Sequence, residues 1–305
     1  MCRHFAYVGE QVSLKSVLYD PPHSLIDQAW APRSQQHGTM NVDGFGVGWY
    51  AEGDRIPARY RRAGPIWADD DLRDLARVTR TRAMLCAVRS ASVGTDAAAA
   101  AAAPFTDGRW LFSLNGALVG WSAAAGGPTT PRRRTAALAG AGSGAGSPGS
   151  SSWTVPGTES AAAAAVLRLA ADLPAADLLG LQARCDTALL WAMVLGRLRA
   201  GDGPASALAG TIARIRAAGG IGRFNLLLTD GEIIAATASG DSLCYGRRGK
   251  HVIVASEPFD DEPDWQQVPD GSVVEATTAR VAIRPLPESA PAATAPHHNG
   301  HGAPR

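Results

Sequence analysis

The stretch MCRHFAYVGE (residues 1–10) carries a cysteine at position 2, directly before an apolar run over 3–9 that is typical of a buried β-strand. Removal of Met1 before this small residue leaves Cys2 with a free α-amino group beside its thiol. An α-amino group titrates near ~7.7–8.0, so it can accept the thiol proton and later return a proton to a leaving amine. We therefore expect a self-activated nucleophile at the head of a strand; the alternative is an unreactive cysteine at a frayed terminus.

Strand and helix patterns follow one another in blocks along the rest of the chain. Apolar, β-rich runs lie at 3–9, 45–50, 82–91, 109–120, 224–230, 232–237, 242–246 and 251–256. Helical periodicity is found at 14–20, 69–79, 159–173, 186–199 and 206–219. Because the strands cluster towards both ends and most helices lie between them, the sequence predicts α+β layering rather than a regular βαβ succession.

Two regions are rich in glycine, alanine, serine and proline. The first covers about 123–157, and the second covers 286–305. Such segments bury too little apolar surface to offset the entropy of ordering. The sequence therefore predicts one domain over 2–285 with a flexible insertion at 123–157, followed by a disordered tail.

Composition argues against several classes of partner. A net charge of +1 gives no electrostatic reason to expect nucleic acid or an anionic membrane surface. The four cysteines form no CxxC pair, which argues against a metal site, and the apolar stretch 187–196 is too short to span a bilayer. No secretory-signal pattern stands at 1–10. We expect a cytoplasmic protein with a small-molecule substrate; the pattern allows a homo-oligomer.

A second candidate for chemistry is the pair Asn115-Gly116, near the end of the β-rich run 109–120. An asparagine amide and a neighbouring glycine N–H supply two donors for the oxyanion of a tetrahedral intermediate. Glycine also lets a substrate approach the backbone closely. The alternative is a tight turn, which is the commonest meaning of this dipeptide.

Two charged residues complete the candidate set. Arg89 lies at the end of a predicted strand, and its planar guanidinium suits a substrate α-carboxylate. Asp186 precedes the apolar helix pattern and suits a substrate α-ammonium group. The alternatives are a surface or interface ion pair for Arg89 and a simple helix N-cap for Asp186.

Together these features resemble a class II glutamine amidotransferase domain of the N-terminal-nucleophile hydrolase superfamily, and most of all the stand-alone γ-glutamyl hydrolases of the ergothioneine pathway. The resemblance is carried by MCRHFAYVG, by the specific block 20–50, and by 87–94, 103–118, 183–201, 224–243 and 254–265. It implies a four-layer αββα sandwich. Leu114, where many relatives carry histidine, and Thr187-Ala188 depart from the family pattern but lie outside the four main site positions.

The resemblance also implies a role for each candidate residue. Cys2 matches the nucleophile and its α-amino base, Asn115 and Gly116 the oxyanion hole, Arg89 the α-carboxylate ligand, and Asp186 the α-amino ligand. A supporting or substrate-facing role follows for residues of two further segments: His37, Asn41, Asp43, Gly44 and Ser92.

The implied reaction is hydrolysis of a γ-glutamyl amide through a thioester on Cys2, without a cofactor. Pathway relatives remove glutamate from γ-glutamyl-hercynylcysteine sulfoxide, whose trimethylammonium group an aromatic face could hold. Aromatic candidates by residue type are Trp30, Trp49, Tyr50 and Trp67. Two rivals stay open: a glutaminase subunit that supplies ammonia to a separate synthase, and a non-catalytic binding module with the same fold.

Overall fold

The computed structural model describes residues 2–92, 94–126 and 156–287, with side chains from 160 onward in the last range. Within these residues the strands form two antiparallel sheets. The first sheet has the order β11-β9-β10-β1-β4-β2-β3 and the second β13-β12-β8-β7-β6-β5.

The strands of the first sheet are β1 (Cys2–Ser13), β2 (Gly44–Trp49), β3 (Ala58–Arg62), β4 (Arg80–Arg89), β9 (Cys244–Arg248), β10 (His251–Ala255) and β11 (Gln266–Gln267). Those of the second are β5 (Phe105–Asp107), β6 (Trp110–Leu118), β7 (Gly222–Thr229), β8 (Ile234–Ala238), β12 (Ser272–Ala276) and β13 (Val281–Pro285). The helices are α1 (Lys15–Leu18), α2 (Leu25–Trp30), α3 (Asp70–Val78), α4 (Trp121–Ala124), α5 (Pro156–Ala171), α6 (Ala175–Leu179), α7 (Asp186–Arg199) and α8 (Pro204–Ala217). Short 3-10 turns lie at Ile66–Ala68 and Ala99–Ala101.

The alternation of side chains along β1 shows how the layers are stacked. Ala6 and Val8 pack between the two sheets, whereas Phe5 and Tyr7 pack on the outer face of the first sheet, in one cluster with α1, α2 and α3. A third cluster joins the outer face of the second sheet to α5, α7 and α8. Because successive strand residues point to opposite faces, one strand contributes to two layers. The expected αββα sandwich is confirmed.

The ordered part of the chain extends slightly further than the sequence predicts, at both ends of the insertion and at the start of the tail. Helix α4 reaches to Ala124, and α5 begins at Pro156, so the predicted insertion 123–157 is ordered at both ends; residues 127–155 lie outside the described ranges. Leu286, predicted to start the tail, is buried, and its N–H donates to the carbonyl of Gly271. Its apolar side chain extends the core by one residue. Residues 288–305 lie outside the described chain.

No helix in the described part of the chain is long and apolar enough to cross a bilayer.

Candidate active site

Strand register in the first sheet brings three candidate positions side by side. Cys2 at the head of β1 pairs with Arg89 at the end of β4, and Arg89 pairs on its other side with Gly44 at the start of β2. Directly paired residues on neighbouring strands have Cα atoms only about 4.5–5.5 Å apart. The predicted nucleophile and the predicted carboxylate ligand therefore lie next to each other at one end of these adjacent strands.

The environment of Cys2 differs from that of the other cysteines. Cys2 is partly exposed, whereas Cys86, Cys185 and Cys244 are buried. Burial raises the pKa of Cys185 to about 12 and also raises the pKa values of Cys86 and Cys244. A thiol reacts as the accessible thiolate, and of the four cysteines Cys2 alone is not buried, as the predicted nucleophile requires.

Contact between the two sheets sets Asn115 against Cys2. The main-chain nitrogen of Cys2 donates to Asn115 Oδ1 at 3.2 Å, across 113 positions of sequence. Asn115 is fully buried, and its Nδ2 lies 3.5 Å from Ser256 Oγ, which also accepts from the main-chain nitrogen of His4 at 3.1 Å. The amide therefore turns its oxygen towards the main-chain nitrogen of Cys2.

Asn115 and Gly116 lie within β6 and do not form the tight turn that was the alternative reading of the dipeptide. They pair with Asn225 and Phe224 of β7. Phe224 donates its N–H to Ser239 on the far side, so Gly116–Phe224 is a non-hydrogen-bonded pair and the Gly116 N–H points away from β7. The Leu118 N–H has the same orientation and donates to Asp186 Oδ2.

Only glycine fits at position 116. Its φ is +150°, and a Cβ built there would lie 2.0 Å from the carbonyl oxygen of Arg223. Any side chain would force the two strands apart. The close approach of β7 thus explains the glycine independently of its predicted donor role.

Arg89 is almost completely buried, at 7 % exposure of the residue. Its Nη2 donates to Thr95 Oγ1 at 2.7 Å, while Nη1 has no hydrogen-bond partner within the described residues. Thr95 Oγ1 donates in turn to the carbonyl of Ser92 at 2.7 Å. Ser92 thus supports Arg89 through its backbone, and its side chain is exposed. A buried guanidinium with an unused N–H is suited to an anionic ligand.

Asp186 is the first residue of α7 rather than its N-cap, which is Cys185. Its Oδ2 accepts from the Leu118 N–H at 3.0 Å and its Oδ1 from the Thr187 N–H at 2.8 Å. Burial raises the pKa of this carboxyl, while the two N–H donors and the Arg89 charge act to lower it. The N-cap alternative is therefore wrong, because Cys185 holds that position. The Asp186 carboxylate instead links α7 to the end of β6, close to Arg89.

The segment 31–43 connects α2 to β2 and contacts the end of β4, where the Asp43 N–H donates to the Arg89 carbonyl at 2.9 Å. Asn41 Nδ2 donates to the Gln28 carbonyl at 3.2 Å and to Gln35 Oε1 at 3.0 Å. Asp43 Oδ2 accepts from the Ala91 N–H at 2.9 Å. These contacts give Asn41 and Asp43 a role in shaping the segment. His37 is exposed, and a positive charge on it would act on Asp241.

Comparison with known proteins identifies the family. No model of a protein family matches the chain. The gamma-glutamyl-hercynylcysteine sulfoxide hydrolase of Mycobacterium tuberculosis (strain CDC 1551 / Oshkosh) is 34 % identical over 286 residues, which cover 94 % of this chain and 97 % of that protein. The protein of the same name from Mycolicibacterium smegmatis is 32 % identical, with coverage of 94 % and 100 %. The chain belongs to this family.

A solved structure supports the fold of this member of the hydrolase family. A glutamine aminotransferase class-II domain protein from Silicibacter pomeroyi superposes with a TM-score of 0.59 at 21 % identity, covering 94 % of this chain and all of the other. The expected resemblance to the γ-glutamyl hydrolases, and the class II fold, are confirmed.

One buried carboxylate of this hydrolase-family chain, that of Glu257, was missed by the sequence analysis. It anchors the segment 31–43. Glu257 Oε1 accepts from His23 Nε2 at 2.8 Å and from the Arg33 N–H at 3.1 Å, and Oε2 accepts from the Ser34 N–H at 2.6 Å. Arg3 Nε lies 3.8 Å from Oε2, and burial lowers the Arg3 pKa. The sequence did contain a signal for this contact. Arg3 lies within the predicted strand 3–9 and Glu257 directly follows the predicted strand 251–256, and a charge buried in a strand needs a partner.

The four aromatic candidates for the trimethylammonium group have different surroundings: Tyr50 and Trp49 pack in or against the core, and Trp30 and Trp67 are exposed. Tyr50 follows β2 at the end remote from Gly44, and its hydroxyl donates to the carbonyls of Arg109 and Thr229. Tyr50 is therefore a structural residue between the sheets, and Trp49 packs against the outer core cluster. Trp30 and Trp67 are exposed at 54 % and 40 %.

Proposed function

We propose that this chain hydrolyses the γ-glutamyl amide of γ-glutamyl-hercynylcysteine sulfoxide and releases glutamate through a thioester on Cys2. Membership of the hydrolase family supports the substrate. The observation that carries the chemistry is the contact of the Cys2 nitrogen with Asn115 Oδ1, with Arg89 beside Cys2 in register.

The glutamyl end is proposed to bind between Arg89 and Asp186. Arg89 Nη1, the buried donor without a partner in the described chain, would pair with the α-carboxylate. The Asp186 carboxylate would take the α-ammonium group, which supplies the positive charge that favours its ionised form despite burial. The two charges of an amino-acid head group thus meet two complementary charges.

The nucleophile is proposed to act after removal of Met1. The neutral α-amine donates one N–H to Asn115 Oδ1, so its lone pair can turn towards the thiol and accept the proton. The thiolate sulfur attacks the γ-carbonyl carbon, and the carbonyl electron pair moves to the oxygen. Collapse of the tetrahedral intermediate expels the leaving nitrogen, which receives the proton from the ammonium group.

The oxyanion is proposed to rest on the second N–H of Asn115 Nδ2 and on the Gly116 N–H, which points away from β7. Both donors are held by the sheet before substrate arrives, so they need no reorganisation during the reaction. A water deprotonated by the same amine then attacks the thioester, which releases glutamate and regenerates the thiol.

The proposed function is tested by incubating the protein with γ-glutamyl-hercynylcysteine sulfoxide and with glutamine in parallel, following glutamate release and the intact mass of the chain. Release from the sulfoxide with Met1 absent is the expected result. Turnover of glutamine alone would favour the glutaminase-subunit rival, and turnover of neither would favour the binding-module rival. Cytoplasmic location and the lack of a nucleic-acid partner stay predictions.

The Arg89 role predicts that Arg89→Lys raises KM for the γ-glutamyl substrate at least ~10-fold, with a smaller effect on kcat. A lysine point charge cannot replace a planar guanidinium that contacts Thr95 and a carboxylate at once. Steady-state kinetics measures the effect, and Arg82→Lys, on an exposed position of the same strand, is the matched control. An unchanged KM would reject the carboxylate assignment.

A further inference from the structure

The two sheets give the site two distinct flanks. In the first sheet β1 lies between β4 and β10, and in the second β6 lies between β5 and β7. Arg89 belongs to the β4 flank, and Asp186 contacts the edge of β6 that faces away from β7. The proposed glutamyl head group binds between Arg89 and Asp186, on the side of β4 and away from β7. With the γ-carbonyl at Cys2, the leaving group of such a substrate extends to the opposite side, towards β10 and β7.

An ion pair stands on this second flank. Asn115 pairs with Asn225, and Arg223 lies two residues earlier on the same face of β7, which makes it the diagonal neighbour of Asn115. Arg223 Nε donates to Asp241 Oδ2 at 3.1 Å. Asn225 Nδ2 donates to the carbonyls of Asp241 and Ser242 at 2.9 and 3.0 Å, which fixes the backbone of the β8–β9 connection.

The pair is more than a surface salt bridge. The Asp241 side chain is 1 % exposed, and its Oδ1 is buried without a hydrogen-bond partner in the described residues. Burial raises the pKa of Asp241, and the charges of Arg223, Arg3 and His37 oppose that shift. The Arg223 side chain is 28 % exposed, so part of it is open to solvent while Nε is held by the buried carboxylate.

We propose that Arg223, held in place by Asp241, binds a carboxylate on the leaving group, so that the enzyme prefers γ-glutamyl amides of α-amino acids to glutamine. In such substrates the carboxylate is attached to the carbon next to the scissile nitrogen. A guanidinium diagonal to Asn115 is within reach of that group when the carbonyl carbon lies at Cys2. The inference rests on the proposed γ-glutamyl hydrolase function.

The test combines two substrates with two proteins. γ-Glutamylalanine and γ-glutamyl ethylamide differ only in the carboxylate of the leaving group. Wild-type protein is expected to show a kcat/KM at least ~10-fold higher for γ-glutamylalanine, and Arg223→Gln is expected to abolish that preference with less than about twofold change on the ethylamide. Arg216→Gln is the matched control, because Arg216 contacts Ser239 and Pro287 from α8.

Two results would overturn the subsite. Wild-type protein could hydrolyse both substrates equally, or Arg223→Gln could lower both rates by the same factor, as a purely structural role requires. Melting curves and the milder Asp241→Asn variant, expected to shift the same ratio by a smaller factor, separate selectivity from misfolding. γ-Glutamyl-hercynylcysteine sulfoxide serves as the reference substrate. If the wild type hydrolyses the sulfoxide but neither of the two simple amides, the subsite is rejected and the proposed function stands. If it hydrolyses none of the three, both are rejected.

Discussion

Cys2→Ala is expected to lower kcat by on the order of 10⁴–10⁶, while the melting temperature stays close to that of the wild type. Removing a covalent nucleophile leaves only the contributions of binding and the oxyanion hole. Cys2 is partly exposed at the head of β1, so losing its sulfur opens no cavity in the core. Glutamate release under saturating substrate measures the effect; residual turnover above a few per cent would remove Cys2 as the nucleophile.

The control for Cys2→Ala is Cys86→Ala. Cys86 is fully buried in β4 and takes no part in the proposed chemistry, so this variant should lose stability but keep kcat. Iodoacetamide should label the wild type once, at Cys2, because burial raises the pKa of the other three thiols.

The role of the α-amine needs a separate control. An alanine inserted between Met1 and Cys2 keeps the thiol but converts its amine into a peptide bond. Loss of a positioned general base costs about 10²–10⁴ in rate. An insertion variant with wild-type kcat would exclude the amine as the base, even if Cys2 remained the nucleophile.

Asn115→Ala is expected to lower kcat by about 10²–10³ and to change KM little. The substitution removes the proposed oxyanion donor and also the oxygen that accepts from the Cys2 nitrogen. Both contributions matter more in the transition state than in the bound substrate, so the effect falls on kcat. Steady-state kinetics, with a melting curve to verify the fold, is the measurement.

Two variants show which function of the Asn115 amide matters. Ser256→Ala removes only the 3.5 Å contact to Asn115 Nδ2 and the main-chain contact of His4, and should cost less than about fivefold. Asn115→Asp keeps an oxygen near the Cys2 nitrogen but places negative charge at the oxyanion, so its loss should equal or exceed that of alanine. If Asn115→Asp kept wild-type kcat, the oxyanion role would be rejected.

Local pattern predicted the long, strongly patterned elements well. The helix predicted at 186–199 is α7, and the strand at 251–256 is β10 to within one residue, because each segment is built around a continuous apolar run. The edge strand β3, with sequence ARYRR, was missed. Its five residues pair with β2, but three of them are arginines, so the segment has no apolar run from which a strand could be predicted. The two-residue β11 and the pair β12–β13 were missed as well.

The sequence by itself determined the family and the chemical groups: a thiol at position 2, an Asn-Gly pair, an arginine at a strand end and an aspartate at a helix start. Tertiary structure decided which of these groups meet. It brought Asn115 to Cys2 across the two sheets, placed Arg89 beside Cys2 by register, and joined Asp186 to Leu118. It also revealed the Glu257 anchor and the Arg223–Asp241 pair. Such contacts depend on sheet register and sheet packing, which are fixed by the whole core and leave no local periodicity in the chain.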